Sequence, residues 1–111
     1  MIMIETPGSV TFEISDVEHI VKIAKEHKII TVCDNSWATP LLFKPLDYGI
    51  DVALYALTKY IAGHSDLLMG AVVAEGEILN YFMKAIRIME SPFSRTIVTL
   101  HTGDLEHCIY A

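Results

Sequence analysis

The hydrophobic residues of this chain fall into short runs that are separated by polar turns. Strands are predicted at "MIMIE" near the start, at "IITVCD", at "VALYAL" and at "LLMGAVVA". Uninterrupted apolar runs of this length are typical of strands that are buried on both faces, as in a parallel sheet. The runs therefore predict a sheet that is covered on both sides.

Two further segments have the apolar spacing of amphipathic helices. The first, "SDVEHIVKIAKEHK", begins with Ser15 and Glu18, which match a capping box. Its apolar positions lie on one helical face: Val17, Ile20, Val21 and Ala24. The second, "GEILNYFMKAIRIME", repeats apolar residues at helical spacing, and Pro92 predicts its end because the residue before a proline avoids the helical region.

The order of these elements predicts an α/β fold with a mostly parallel sheet and flanking helices. A length of 111 residues allows one small domain. No element is predicted in the tail "FSRTIVTLHTGDLEHCIYA", where the apolar residues have no clear period.

Composition narrows the function classes. The net charge is −6 and the basic residues are scattered, which makes nucleic acid and anionic membrane surfaces poor partners. Cys33 and Cys108 are too few for a disulfide framework, so we expect a reduced, cytoplasmic protein. No apolar run approaches the roughly 20 residues that span a bilayer, and the start has no basic region of the kind found in signal peptides.

Two polar residues follow predicted strands, Asp34 after "IITVC" and Lys59 after "VALYALT". Ligands of parallel α/β sheets bind at the carboxyl ends of the strands. A partly desolvated lysine amine is a nucleophile towards an aldehyde such as pyridoxal phosphate. That cofactor also needs a carboxylate at its ring nitrogen and hydroxyls at its phosphate. Asp34 is a candidate for the carboxylate, and Thr58 is a candidate for one of the hydroxyls. The alternative is a solvated lysine and an aspartate that caps a loop. No histidine has the spacing to cysteine or acidic residues that would suggest a metal site.

Three stretches resemble the trans-sulfuration family of pyridoxal-phosphate enzymes. They are "ETPGSVTFEISDVEHIV", "CDNSWATPLLFKPLDYGIDVALYALTKYIAGHSDLLMGAVVA" and "ESPFSRT". The resemblance runs from about Ile4 to about Ser94. The most specific part is Asp34-Asn35 followed by Thr58-Lys59-Tyr60 and Gly63-His64-Ser65-Asp66. Trp37 makes the chain look most like the bacterial cystathionine β-lyases of the family.

The resemblance implies roles for individual residues. Lys59 would form the imine with the cofactor and move the substrate proton, Asp34 would face the pyridine nitrogen, and Thr58 would contact the phosphate. Ala56 departs from the family, which often has a serine there. We expect Trp37 to pack near the site and His64 to fix its turn by hydrogen bonds. Two acidic residues that match family positions, Glu5 and Glu13, are assigned to loop structure.

The resemblance also implies that residues 1–91 are part of the large domain of a fold-type I pyridoxal-phosphate enzyme, with residues 92–111 as a divergent or truncated tail. The expected activity is a carbon–sulfur lyase of methionine biosynthesis that converts cystathionine into homocysteine, pyruvate and ammonia. Full-length members form homo-oligomers. A signalling receiver domain is a poor fit, because it needs an acidic pair at the end of its first strand.

Several segments that the family uses have no match in this chain. They are the upstream glycine-rich segment and stacking tyrosine, the tyrosine and arginine lent by a neighbouring subunit, and the downstream domain whose arginine binds the substrate carboxylate. We therefore expect a truncated homologue with little or no lyase activity by itself. The alternative is a non-catalytic remnant or a subunit-association fragment.

Overall fold

A computed structural model of the chain describes residues 1–89 and 96–100. Five strands are present: β1 (Ile2–Glu5), β2 (Thr31–Asp34), β3 (Val52–Tyr55), β4 (Gly70–Ala74) and β5 (Thr96–Leu100). Three α-helices accompany them: α1 (Val17–Glu26), α2 (Thr39–Leu42) and α3 (Gly76–Met89), and a 3-10 helix occupies Pro45–Tyr48. Among the described helices, none is both long and apolar enough to cross a membrane.

The five strands form one sheet in the order β1-β2-β3-β4-β5. β1 pairs with β2, β2 with β3 and β4 with β5 in parallel, while β3 and β4 are antiparallel. The predicted α/β class with a mostly parallel sheet is confirmed. Glu5 and Asp34 are partners in the register of the first pair, so β1 and β2 end at the same edge of the sheet.

Apolar side chains are buried on both faces of the sheet. On β2, Cys33 belongs to a cluster that includes Val17 and Val21 of α1, whereas Val32 belongs to a cluster that includes Leu79 of α3. Successive residues of a strand point to opposite faces, so the two helices cover the two sides. This is why the strand sequences are apolar at consecutive positions.

The helix cap predicted at Ser15 is wrong by one residue. Asp16 is the N-cap of α1, and its Oδ1 accepts a hydrogen bond from the backbone N–H of His19 at 3.0 Å. The backbone N–H of Ser15 donates instead to Thr6 Oγ1 at 3.0 Å. That contact from nine residues upstream fixes Ser15 outside the helix, which a local pattern does not reveal. The buried face contains the predicted Val17, Val21 and Ala24.

Strand β5 lies in the tail where no element was predicted. It pairs with β4 along its whole length, from Gly70 opposite Thr96 to Ala74 opposite Leu100. Its partner is more than twenty positions away in the sequence, so local periodicity had little to reveal. The predicted helix end at Pro92 and the second cysteine, Cys108, lie outside the described residues. The division at residue 91 stays a prediction.

Cys33 gives the fold a pH dependence that can be measured. Its side chain is fully buried, and burial, assisted by the charge of Asp34, raises the pKa of its thiol from 9.0 to about 11. The neutral thiol is favoured in the folded state, so this stabilisation is complete below pH 9 and is lost as the pH rises through about 11.

We expect the free energy of unfolding to fall more steeply between pH 9 and 11 in the wild type than in Cys33→Ala. The difference of about 2 between the thiol pKa values of the unfolded and folded states corresponds to a loss of roughly 2–3 kcal/mol in the free energy of unfolding. Urea unfolding at several pH values measures it. Both proteins retain Tyr55, whose pKa is raised by burial and, less, by the charge of Cys33, so the difference between the two profiles reports the thiol and its coupling to Tyr55. Parallel pH profiles would contradict the assignment.

Candidate active site

Asp34 and Lys59 line the same cavity at the carboxyl edge of the sheet. The cavity has a volume of about 600 Å³, which lies within the range of small-molecule pockets. Its walls are formed by Glu5, Pro7, Ser9, Asp34, Ser36, Trp37, Lys59, Tyr60 and Gly63. The two residues selected from the sequence are therefore brought together on one side of the sheet.

Asp34 is the last residue of β2 and is half-buried. Its Oδ1 accepts a hydrogen bond from the backbone N–H of Ser36 at 2.9 Å, so the aspartate does cap its loop. Among the described residues, no donor is bonded to Oδ2. One carboxylate oxygen thus fixes the loop, while the other is free to accept a hydrogen bond from a molecule in the cavity.

Lys59 lies in the turn that follows β3. Its backbone N–H donates to the carbonyl of Ala56 at 3.1 Å, and its carbonyl accepts from the N–H of Gly63 at 3.0 Å. The side chain is exposed, so the desolvation expected of a strand-end lysine is not found. The reason is that β3 ends at Tyr55, which leaves Lys59 in the turn beyond the sheet edge rather than in the strand.

The Thr58 hydroxyl is engaged with the segment that enters β4. It donates to the carbonyl of Met69 at 3.1 Å and accepts from the Met69 N–H at 2.8 Å. Thr58 is not part of the cavity wall. Its role at a phosphate stays a prediction, and its observed hydrogen bonds fasten the turn that carries Lys59.

Asn35 fixes the loop that follows Asp34. Its side chain is fully buried, and Nδ2 donates to the carbonyls of Thr39 and Phe43 at 3.2 and 2.8 Å and to the Tyr55 hydroxyl at 3.2 Å. Among the described residues, Oδ1 has no partner. Asn35 thereby joins the end of β2 to the end of β3.

Two residues assigned to packing or turn structure have those roles. Trp37 lines the cavity, and its ring packs edge-on against the ring of Phe12 with the two centroids 5.0 Å apart. Nδ1 of His64 lies 3.0 Å from the carbonyl of Ala62, within the turn.

Sequence reasoning missed other parts of the cavity wall. Glu5 was assigned to a loop, yet it ends β1 and lines the cavity. The parallel pairing that aligns Glu5 with Asp34 was the available signal. Ser36 was not singled out, and Tyr60, part of the family motif, was interpreted as a core or interface aromatic, yet it is exposed and lines the cavity. Within the described residues, no group of three or more histidine, cysteine or acidic side chains is arranged to hold a metal ion.

Comparison with known proteins identifies the family. The profile of the family described as Cys/Met metabolism PLP-dependent enzymes matches residues 1–101. The chain belongs to this family. The match includes strand β5, beyond the end expected from the quoted motifs.

Among the curated relatives of this Cys/Met metabolism chain is an L-alanine/L-glutamate racemase of Wolbachia pipientis wMel. It is 77% identical over 87 residues, which cover 78% of this chain and 22% of the relative. A cystathionine β-lyase of Coxiella burnetii is 40% identical over 118 aligned positions, covering 97% of this chain and 30% of the relative. The chain thus spans less than a third of the length of either.

Solved structures agree with this assignment. A methionine γ-lyase from Micromonospora echinospora is 39% identical with a TM-score of 0.69, covering 77% of this chain and 23% of that one. An O-acetylhomoserine (thiol)-lyase from Campylobacter jejuni, described as putative, carries a pyridoxyl-lysine monophosphate. It is 41% identical with a TM-score of 0.58, covering 61% of this chain and 17% of that one.

The family is pyridoxal-phosphate-dependent, and the cavity has groups that fit this cofactor. The free oxygen of Asp34 suits a protonated ring nitrogen, and the exposed amine of Lys59 suits an aldehyde. Both groups line a cavity of sufficient size. The fit is weakest at the phosphate, because Ala56 has no hydroxyl and Thr58 uses its own on Met69.

Proposed function

We propose that this chain carries the cofactor-holding lysine and aspartate of a pyridoxal-phosphate enzyme that acts on amino acids, with carbon–sulfur lyase activity of the cystathionine β-lyase type. One observation carries the proposal: Asp34 and Lys59 line the same cavity at the carboxyl edge of β2 and β3. The family match supports the cofactor, and relatives named as lyases support the reaction class.

Each residue would have a defined task. Pyridoxal phosphate, when bound, withdraws electrons from the α-carbon of an amino acid, which makes the α-proton acidic. Lys59 would hold the cofactor covalently and, once released from it, take the α-proton at Nζ. The Asp34 carboxylate would accept a hydrogen bond from the protonated ring nitrogen and preserve its charge.

In the lyase reaction, loss of the α-proton is followed by cleavage of the bond between sulfur and the β-carbon. The sulfur departs with the bonding electrons and leaves as the thiol of homocysteine after it gains a proton. Water then releases the remaining carbon skeleton as pyruvate and ammonia. Lys59 would supply the proton transfers, since it is the one amine in the cavity wall of the described residues.

Racemisation is a second candidate, favoured by one observation. The relative that shares 77% identity is named an L-alanine/L-glutamate racemase. A racemase also begins by removing the α-proton, but it returns a proton to the opposite face and breaks no carbon–sulfur bond. The same Lys59 would take the first proton in either reaction, so the cavity by itself supports both.

The test follows the shared step and the two products separately. The purified chain with pyridoxal phosphate is incubated in deuterated water with L-cystathionine or L-alanine. We expect deuterium at the α-carbon of the amino acid, pyruvate from L-cystathionine if the chain is a lyase, and D-alanine if it is a racemase. Turnover by the 111-residue polypeptide should be low, because the segments with which the family positions the cofactor and the substrate have no match in this sequence. Poor positioning of the reacting groups lowers the rate strongly. Cofactor binding with no α-deuterium from either substrate would favour a non-catalytic remnant.

A further inference from the structure

Ser36 is hydrogen-bonded both to Asp34 and to the segment that leads to Lys59. It comes two positions after Asp34 and lines the same cavity. Its backbone N–H donates to Asp34 Oδ1 at 2.9 Å. The orientation of the Asp34 carboxylate is therefore linked to the position of Ser36.

The side chain of Ser36 reaches the other half of the site. Its Oγ accepts a hydrogen bond from the backbone N–H of Ala56 at 2.6 Å. The carbonyl of Ala56 in turn accepts the N–H of Lys59 at 3.1 Å, which starts the turn. A continuous series of hydrogen bonds thus leads from the Asp34 carboxylate through Ser36 and Ala56 to the backbone of Lys59.

We propose that Ser36 is a positioning residue that holds the Lys59 turn at a fixed distance from Asp34. The inference rests on the proposed function, because the spacing matters only if both groups hold one cofactor. The backbone N–H of Asn35 donates to the carbonyl of Leu54 at 2.9 Å, which joins the two strands two residues before Ala56. The Ser36–Ala56 bond lies nearer to Lys59, beyond the end of β3 at Tyr55, and holds the turn on the β2 side. Thr58 holds the same turn to Met69 on the β4 side.

The inference makes a prediction for Ser36→Ala, which removes the acceptor for the Ala56 N–H. We expect this N–H to exchange with deuterated water about fivefold to tenfold faster, as loss of one hydrogen bond implies. We also expect covalent labelling of Lys59 by pyridoxal phosphate, trapped with borohydride, to slow about tenfold because the amine is less well placed. Ser36→Thr keeps the hydroxyl and should restore both rates.

Ser15→Ala is the matched control. The hydrogen bond of Ser15 to Thr6 is donated by its backbone N–H, which alanine also has. Its substitution should therefore leave exchange at Ala56 unchanged. Urea unfolding of each variant separates a local effect from global destabilisation. Should Ser36→Ala not fold, Ser36→Cys serves in its place, since sulfur is a weak acceptor.

The outcomes distinguish the inference from the proposed function. Wild-type labelling rates and wild-type exchange in Ser36→Ala would overturn the positioning role and leave the proposed function intact. Absence of labelling at Lys59 in the wild type would overturn both. Slower labelling with faster Ala56 exchange, reversed in Ser36→Thr, supports the inference.

Discussion

Replacing Lys59 by alanine is expected to reduce α-deuterium incorporation into amino acids by about 10²–10⁴-fold, the usual contribution of a general base. The physical reason is that Lys59 supplies the amine in the cavity wall, and alanine carries no proton acceptor. The side chain is exposed, so folding should change by no more than about 0.5 kcal/mol. The rate is measured by mass spectrometry of the amino acid.

Lys44→Ala is the matched control for this substitution. Lys44 is also exposed, but it precedes the 3-10 helix and is not part of the cavity wall. It should incorporate deuterium at the wild-type rate. Equal rates in Lys59→Ala and Lys44→Ala would show that exchange occurs without the proposed base.

Replacing Asn35 by alanine is expected to lower the free energy of unfolding by about 2–4 kcal/mol. The carbonyl of Phe43 and the hydroxyl of Tyr55 lose the amide donor, and the carbonyl of Thr39 keeps only the backbone N–H of Phe43. The residue is fully buried, so water does not readily replace the lost hydrogen bonds. Urea unfolding monitored by circular dichroism measures the change.

Asn80→Ala is the comparison for the Asn35 variant. Asn80 is exposed on α3, and its loss should change stability by no more than about 0.5 kcal/mol. If both asparagine variants unfold at the same urea concentration, the hydrogen bonds of Asn35 do not stabilise the fold as inferred.

The strands were predictable because burial on both faces leaves a simple trace in the sequence. Val32 and Cys33 are adjacent, yet they pack against different helices, α3 and α1. The local pattern did not predict features that depend on a contact with a residue distant in the sequence. Thr6 displaced the helix cap from Ser15 to Asp16, and β5 depends on pairing with β4.

The site was predictable to the extent that parallel strands bring their carboxyl ends together. This rule identified Asp34 and Lys59, and both line one cavity. It did not predict the exposure of Lys59, which follows from the early end of β3 at Tyr55. The bond from the Ala56 N–H to Ser36 was hidden as well, because it depends on the side-chain geometry of a short polar residue.

The most direct test of the central claim is the location of the bound cofactor. The chain is mixed with pyridoxal phosphate at less than one equivalent, reduced with borohydride, digested and mapped by mass spectrometry. The account predicts that the pyridoxyl group is found mainly on the peptide containing Lys59. It also predicts that in Asp34→Ala a smaller share of the label is on Lys59. Labelling spread evenly over Lys59 and other exposed lysines, such as Lys44 and Lys84, would contradict it.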